Sequence, residues 1–181
     1  MPLPTPKLFL KNYLTPVFIE TGSHRGDGIQ HALDAGFVCV YSVDISPFAY
    51  GWCSHRFVEQ RDKVALHLCD SREFLQTLLP KISCRCTFWI DAHWCGGNDE
   101  MGGQDGGTET DIPMLDELRV IADHGVKDHI ILIDDVRLMG TDDYPPRKLV
   151  LNVLKGINPD YDISFHDSDD FASDILVAQI L

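Results

Sequence analysis

The chain reads as an α/β protein: a mostly parallel, doubly wound sheet of seven strands with helices on both faces, ending in an antiparallel hairpin. Three observations predict it. Short apolar runs rich in β-branched and aromatic residues alternate with longer segments of helical period, as strand–helix units do. Four successive strand-like runs close on an acidic residue, Glu20, Asp44, Asp70 and Asp91, and in an open parallel sheet those ends share one rim. The last acidic turn, through Asp170, lies between two short apolar runs, which is hairpin spacing.

In chain order, residues 1–14 carry Pro2, Pro4 and Pro6 and read as an extended arm. The first strand is Val17–Thr21. A helix follows in which Ile29, Ala32 and Leu33 share a face. Strands are expected at Cys39–Ile45 and Val64–Asp70, then a helix with Phe74, Leu75, Leu78 and Leu79 inward. The fourth strand is Cys86–Ala92, and Trp89 within it belongs to the core. From Gly96 to Gly107 six of twelve residues are glycine, so 96–108 reads as a flexible loop, either a lid over substrate or a surface insertion. A helix presenting Leu115, Leu118 and Ile121, a strand at His129–Val136, a helix at Arg147–Lys155 and a hairpin of Tyr161–His166 with Asp174–Leu181 complete a Rossmann-like order. At 181 residues and 44% hydrophobic composition, one domain spanning 1–181 is the expectation.

The net charge of -13, from 28 acidic and 15 basic residues, disfavours nucleic acid and anionic membrane surfaces as partners and favours a small or cationic one. No apolar run approaches the roughly 20 residues of a bilayer span, and no basic-then-apolar leader opens the chain, so a soluble cytoplasmic protein is expected. Six cysteines without CxxC spacing read as reduced thiols, several of them in strands.

The strongest motif is Phe18-Ile19-Glu20-Thr21-Gly22-Ser23-His24-Arg25-Gly26-Asp27-Gly28, a strand passing through a glycine turn into a helix. Such a turn lets a ligand approach the backbone and presents helix N-terminal N–H groups. Its spacing, Glu20-x-Gly22-x-x-x-Gly26, departs from the dinucleotide pattern G-x-G-x-x-G. Asp44 ends the next strand, where a carboxylate can accept both hydroxyl hydrogens of a ribose. Asp44, Asp70 and Asp91 each have a plainer reading as caps of the helices that follow. At the other end of the rim, Asp91-Ala92-His93-Trp94 and Ile133-Asp134-Asp135-Val136-Arg137 bring three carboxylates together, a hard-oxygen set suited to Mg²⁺ or Ca²⁺ or else to pairing with Arg137 and Arg147. The spacing Asp91-x-His93-x-Cys95 does not make a zinc site.

These segments resemble class I S-adenosylmethionine-dependent methyltransferases, nearest to uncharacterised methyltransferase-like proteins and remotely to the macrocin O-methyltransferase group. The resemblance covers residues 17 to 137. It implies that Glu20, Gly22, Ser23, Gly26, Asp44, Asp70, Ser71 and Asp91 bind S-adenosylmethionine. It further implies that Asp91, Asp134 and Asp135 hold Mg²⁺, and that His93, with Asp91, performs catalysis as general base on a hydroxyl of a small molecule or sugar. Arg25 could pair with the cofactor carboxylate, and Trp94 could stack on substrate. The arm lacks the N-terminal helices that cover substrate in related enzymes, which suggests a homodimer. Two other readings stay open: a hydroxylase-like enzyme of the same fold, and a non-catalytic binding module.

Overall fold

The computed structural model describes residues 7–93, 112–141 and 144–181, with the side chains of residues 7 and 8 left aside. The glycine-rich loop 96–108, Trp94 and Cys95 lie outside the described residues.

Seven strands form one sheet: β1 (Val17–Thr21), β2 (Val40–Asp44), β3 (Val64–Leu68), β4 (Cys86–Ile90), β5 (Ile130–Ile133), β6 (Asp162–His166) and β7 (Ile175–Gln179). Their order is β3-β2-β1-β4-β5-β7-β6. The first five run parallel, and β7 inserts antiparallel between β5 and β6. The strand order reverses at β1, whose neighbours are β2 and β4. Loops leaving β1 and β4 therefore diverge to opposite faces and open a crevice at their C-terminal ends.

Alternation in the strands feeds two apolar layers. One joins Ile19, Phe88, Ile131, Ile133 and Leu176 to α4 (Ser71–Leu78), α5 (Met114–Asp123) and α6 (Arg147–Ile157). The other joins Phe18, Val40, Trp89, Leu132 and Val177 to α1 (Lys7–Leu10), α2 (Asp27–Ala35) and α3 (Pro47–Arg56). Fully burying each large side chain contributes about 1.5–3 kcal/mol, and both faces are covered, which is why β1, β4 and β5 are buried throughout and mostly apolar.

Three expectations are corrected. The arm is not extended over its whole length: Lys7–Leu10 is a helical turn continued by a 3₁₀ turn at Lys11–Tyr13, because Leu10 and Tyr13 are buried against the α2 layer. Helix α3 has no counterpart in the sequence reading. Its start carries a signal, Ser46 as N-cap to the Ala49 amide and Pro47 at the first helical position. Its period is weak because only Ala49 and Cys53 are buried while Phe48 and Trp52 face outward. The strands also end earlier than expected, at Leu68, Ile90 and Ile133, because the residues beyond them leave the ladder and turn into the loops that carry the acids. Among the described residues, no helix is long and apolar enough to cross a membrane.

Candidate functional site

The turn after β1 folds because two glycines take the left-handed region that other residues avoid, Gly22 at φ +88° and Gly26 at φ +80°. The sequence reading assigned them to ligand approach, but the tight contacts are internal. A Cβ on Gly22 would lie 2.7 Å from the carbonyl oxygen of Asp91, and one on Gly26 2.5 Å from the Phe57 ring. The turn leaving β1 is thus stacked, backbone on backbone, against the loop leaving β4. The Gly22 and Ser23 amides donate to the Val43 carbonyl at 2.9 and 3.1 Å.

Beneath the turn lies a buried polar layer. The Ser42 hydroxyl donates to Glu20 at 2.5 Å and shares a 2.6 Å bond with the Ser23 hydroxyl. Burial pushes the Glu20 carboxyl up to about 8, against the Ser42 bond and with repulsion from Asp91 and Asp44. Glu20 also abuts Gly28 in α2, where no side chain would fit. Asp44 sits at the rim with one oxygen accepting the His24 amide at 2.8 Å and the other the Ser46 amide at 2.9 Å. Burial raises its pKa and these amides oppose the rise. Two donors aim the carboxylate while each oxygen keeps a second lone pair.

At the end of β3, Asp70 takes the capping role: it accepts the Arg72 amide at 2.8 Å and the Arg72 guanidinium at 2.9 Å, and that guanidinium holds its pKa low. Ser71, buried, lies beside Glu117, a fully buried carboxyl that sequence reasoning missed because it falls on the apolar face of α5. Burial pushes Glu117 up to about 7, opposed by the neighbouring Ser71 and Thr21 hydroxyls, although neither reaches its oxygens in good hydrogen-bonding geometry. Arg25 is exposed, and its carbonyl accepts from Arg56 at 2.7 Å.

The reaction end surrounds a small cleft, about 200 Å³ counting the space open to solvent. Asp91, Asp134 and Asp135 form its acidic side, Ile90 and Met114 its apolar side, and His93 and Tyr144 stand among them. His93 Nε2 lies 2.8 Å from Asp135 and 3.5 Å from Asp91, and the Tyr144 ring is 6.0 Å from the imidazole. The other Asp135 oxygen is held by Arg137, which also pairs with Asp174 and lies 4.3 Å from the centre of the Phe171 ring. Asp174, at the entry of β7, further accepts the Arg137 amide at 2.9 Å. Asp135 adopts φ +57°, a conformation uncommon for a non-glycine residue and often found at functional sites.

These contacts divide the acids. Burial would raise Asp135, but the bonds and charges of His93 and Arg137 outweigh it and hold its pKa low. Asp91 is raised by burial, with His93 opposing. Asp134 is pushed up to about 8 by burial and then by repulsion from Asp91 and Asp135, and its Oδ1 has no hydrogen-bond partner among the described residues.

A divalent metal, as the sequence resemblance implies, meets two overlapping donor sets here: Asp91, His93 and Asp135, and Asp134, Asp135 and Asp174, each with ligand atoms within 4.8 Å of one another. Both need Asp135, whose oxygens are already committed to His93 and Arg137. The hard oxygens suit Mg²⁺, and in this arrangement those of Asp135 are shared with His93 and Arg137. Arg137 and Asp174 were outside the expected site residues. Arg137 pairs with Asp135 and Asp174 rather than with Asp91 or Asp134, and Arg147 instead lies over Phe165.

No family model matches the chain, and no curated protein matches it in sequence. Solved structures do match in fold. The O-methyltransferase from Bacillus cereus in complex with SAH is 12% identical, over 97% of this chain and 78% of that one, at TM-score 0.64. The O-methyltransferase TomG from Streptomyces achromogenes, involved in tomaymycin synthesis and in complex with SAM, is 12% identical over 96% and 77%, at 0.61. An rRNA methylase from Streptococcus thermophilus is 14% identical over 97% and 93%, at 0.56. The chain has the class I methyltransferase fold.

Proposed function

We propose that this methyltransferase fold is a working S-adenosylmethionine-dependent O-methyltransferase acting on a small hydroxyl compound. The observation that carries the reading is a glycine turn stacked directly against a loop bearing a histidine–carboxylate pair, with Asp44 aimed beside the turn. Cofactor and base then share one crevice.

The rim fits the cofactor. The turn from Gly22 to Gly26 would take the methionyl part, with Glu20 and Ser23 supporting it from below. Asp44 would accept the ribose hydroxyls, Asp70 and Ser71 would border the adenine, and Asp91 would close the crevice. When bound, the cofactor supplies an electrophilic sulfonium methyl for direct displacement.

The chain's part is alignment and proton removal. With Nε2–H donated to Asp135, neutral His93 carries its lone pair on Nδ1, which takes the proton of the acceptor hydroxyl. Asp135 fixes that tautomer and steadies the imidazolium that forms; Asp91, at 3.5 Å, adds to the same field. Arg137 and Asp174 hold Asp135 in place and act as positioning residues. The surface charge favours a small or cationic acceptor over nucleic acid. The oxygens of Asp135 are shared with His93 and Arg137, and the steps above are derived without Mg²⁺.

Calorimetric titration with SAM and SAH, with and without Mg²⁺, tests the reading. Micromolar binding weakened roughly tenfold to a hundredfold by Asp44→Ala is expected, the loss of charge-assisted bonds to the ribose. Absence of heat for either ligand would remove the methyltransferase reading.

A further inference from the structure

The turn after β1 contains one residue that its own backbone does not favour. His24 has φ +43°, one of three non-glycine residues at positive φ among the described residues. A side chain in that region costs free energy that glycine avoids, and Gly22 and Gly26 do avoid it in the same turn. Two bonds hold the His24 backbone: its amide donates to Asp44 at 2.8 Å, and its carbonyl accepts the Cys53 thiol at 3.5 Å. Both are made by main-chain atoms. Glycine at 24 would keep them, so the imidazole is not what shapes the turn.

The turn is also poor in donors for an anion. The amides of Gly22 and Ser23 are given to Val43, that of Gly26 to Ser23 and that of His24 to Asp44. Glu20, Asp44 and Asp91 bring carboxyl groups to the same rim, and the chain carries a net charge of -13. A carboxylate laid over this turn gains nothing from those four amides and needs a side-chain N–H. The imidazole of His24 is half-buried at that place, near enough to Asp44 for its charge to oppose the rise in the pKa of that acid.

We propose that the His24 imidazole binds the carboxylate of the cofactor's methionyl part. The proposal rests on the S-adenosylmethionine reading above and adds a binding residue to it, at a position where a smaller residue would fold more easily. An imidazole N–H donates to the carboxylate, and the ligand's charge strengthens the bond whether the ring is neutral or protonated. His24 then serves both parts of the ligand. Its amide aims Asp44 at the ribose, and its ring meets the methionyl end. Arg25 is the other basic residue of the turn, but it is exposed, where water screens a charge pairing.

The test is calorimetric titration of the native protein and His24→Gly with SAH and with decarboxylated SAH, which keeps the adenosine, the sulfur and the amine and lacks only the carboxylate. His24→Gly is expected to weaken SAH roughly tenfold or more, the loss of a charge-assisted bond. It should leave the affinity for the decarboxylated ligand unchanged, and its Tm should stay close to native because glycine suits the backbone. Unchanged SAH affinity in the variant would overturn the proposal. An equal loss on both ligands would do the same, since it would place the effect in the turn or in Asp44. A variant Tm well below native would make the imidazole a structural support and likewise overturn it. A carboxylate-specific loss larger in Arg25→Ala than in His24→Gly would hand the role to Arg25. Each of these results leaves the methyltransferase reading standing, because the native protein binds SAH in all of them. No binding of SAM or SAH by the native protein would remove that reading and the proposal with it.

Discussion

Strands β4 and β5 carry histidines at both ends, and the two ends are built in opposite ways. At the entry of the strands, His129 Nδ1 accepts the Cys86 amide at 3.0 Å, so its proton sits on Nε2 and is donated to His124 Nδ1 at 2.8 Å. His124 Nε2–H then donates to the Ile82 carbonyl at 2.9 Å. Every ring nitrogen of this neutral pair is engaged, and the rings stack at 5.0 Å. At the exit, His93 stands among three carboxyls, Asp135 is split between an imidazole and a guanidinium, and Asp134 Oδ1 has no partner among the described residues. One end closes its polar groups against each other to hold the fold. The other leaves polar capacity unpaired among the described residues that line a cleft.

The contrast can be broken at either end. The largest expected effect is at the exit: His93→Ala should lower kcat by about 10²–10⁴, the usual contribution of a positioned base, while SAH affinity measured by calorimetry stays unchanged. At the entry the expected effect is on stability. Burial pushes His129 down to about 4. Below a pH of about 6.5 the unfolded chain takes up a proton that the folded chain refuses. Stability is therefore fully present above that pH and falls as pH drops towards 4, by up to about 3 kcal/mol. Urea titrations across that range should show the slope in the native protein and a shallower one in His129→Asn. Next, Gly22→Ala forces a side chain onto the Asp91 carbonyl at a positive φ. It should destabilise the fold by about 1–3 kcal/mol and lower activity with it, because the two loops move together. The smallest effect expected is for Arg137→Met, about tenfold in kcat/KM, since this guanidinium is about a third exposed. SAH affinity should hold and Arg137→Lys should restore part of the rate; full activity in Arg137→Met would separate Asp135 from its support.

Much of the β1–β3 rim was legible beforehand because its parts are local. A glycine turn, the acid before it and the acid ending the next strand fall within one strand–helix–strand unit. Asp44 is aimed by backbone amides two and twenty residues away. Asp70 shows the limit of such reading: the same position suits a cap and a ligand, and its contacts with Arg72 give it the capping role. The reaction end was legible as a set of residue types and illegible as a circuit. Asp174 is 37 residues from Arg137, and only the antiparallel insertion of β7 beside β5 brings them together. Glu117 was hidden by its period, being a carboxyl at a position where α5 turns its apolar face inward.

Hydrophobic period and glycine placement act over one or two turns of chain, so the order of strands and helices, the glycine turn and the row of acids along one rim were determined by the sequence itself. Which of those acids is ionised, which is capped, and which has no partner depends on the charges and buried surfaces that packing brings within a few ångströms. Only the tertiary structure decided that Asp135 would be held by an imidazole and a guanidinium while Asp134 Oδ1 meets no partner among the described residues, because electrostatic interactions act through space and not along the chain.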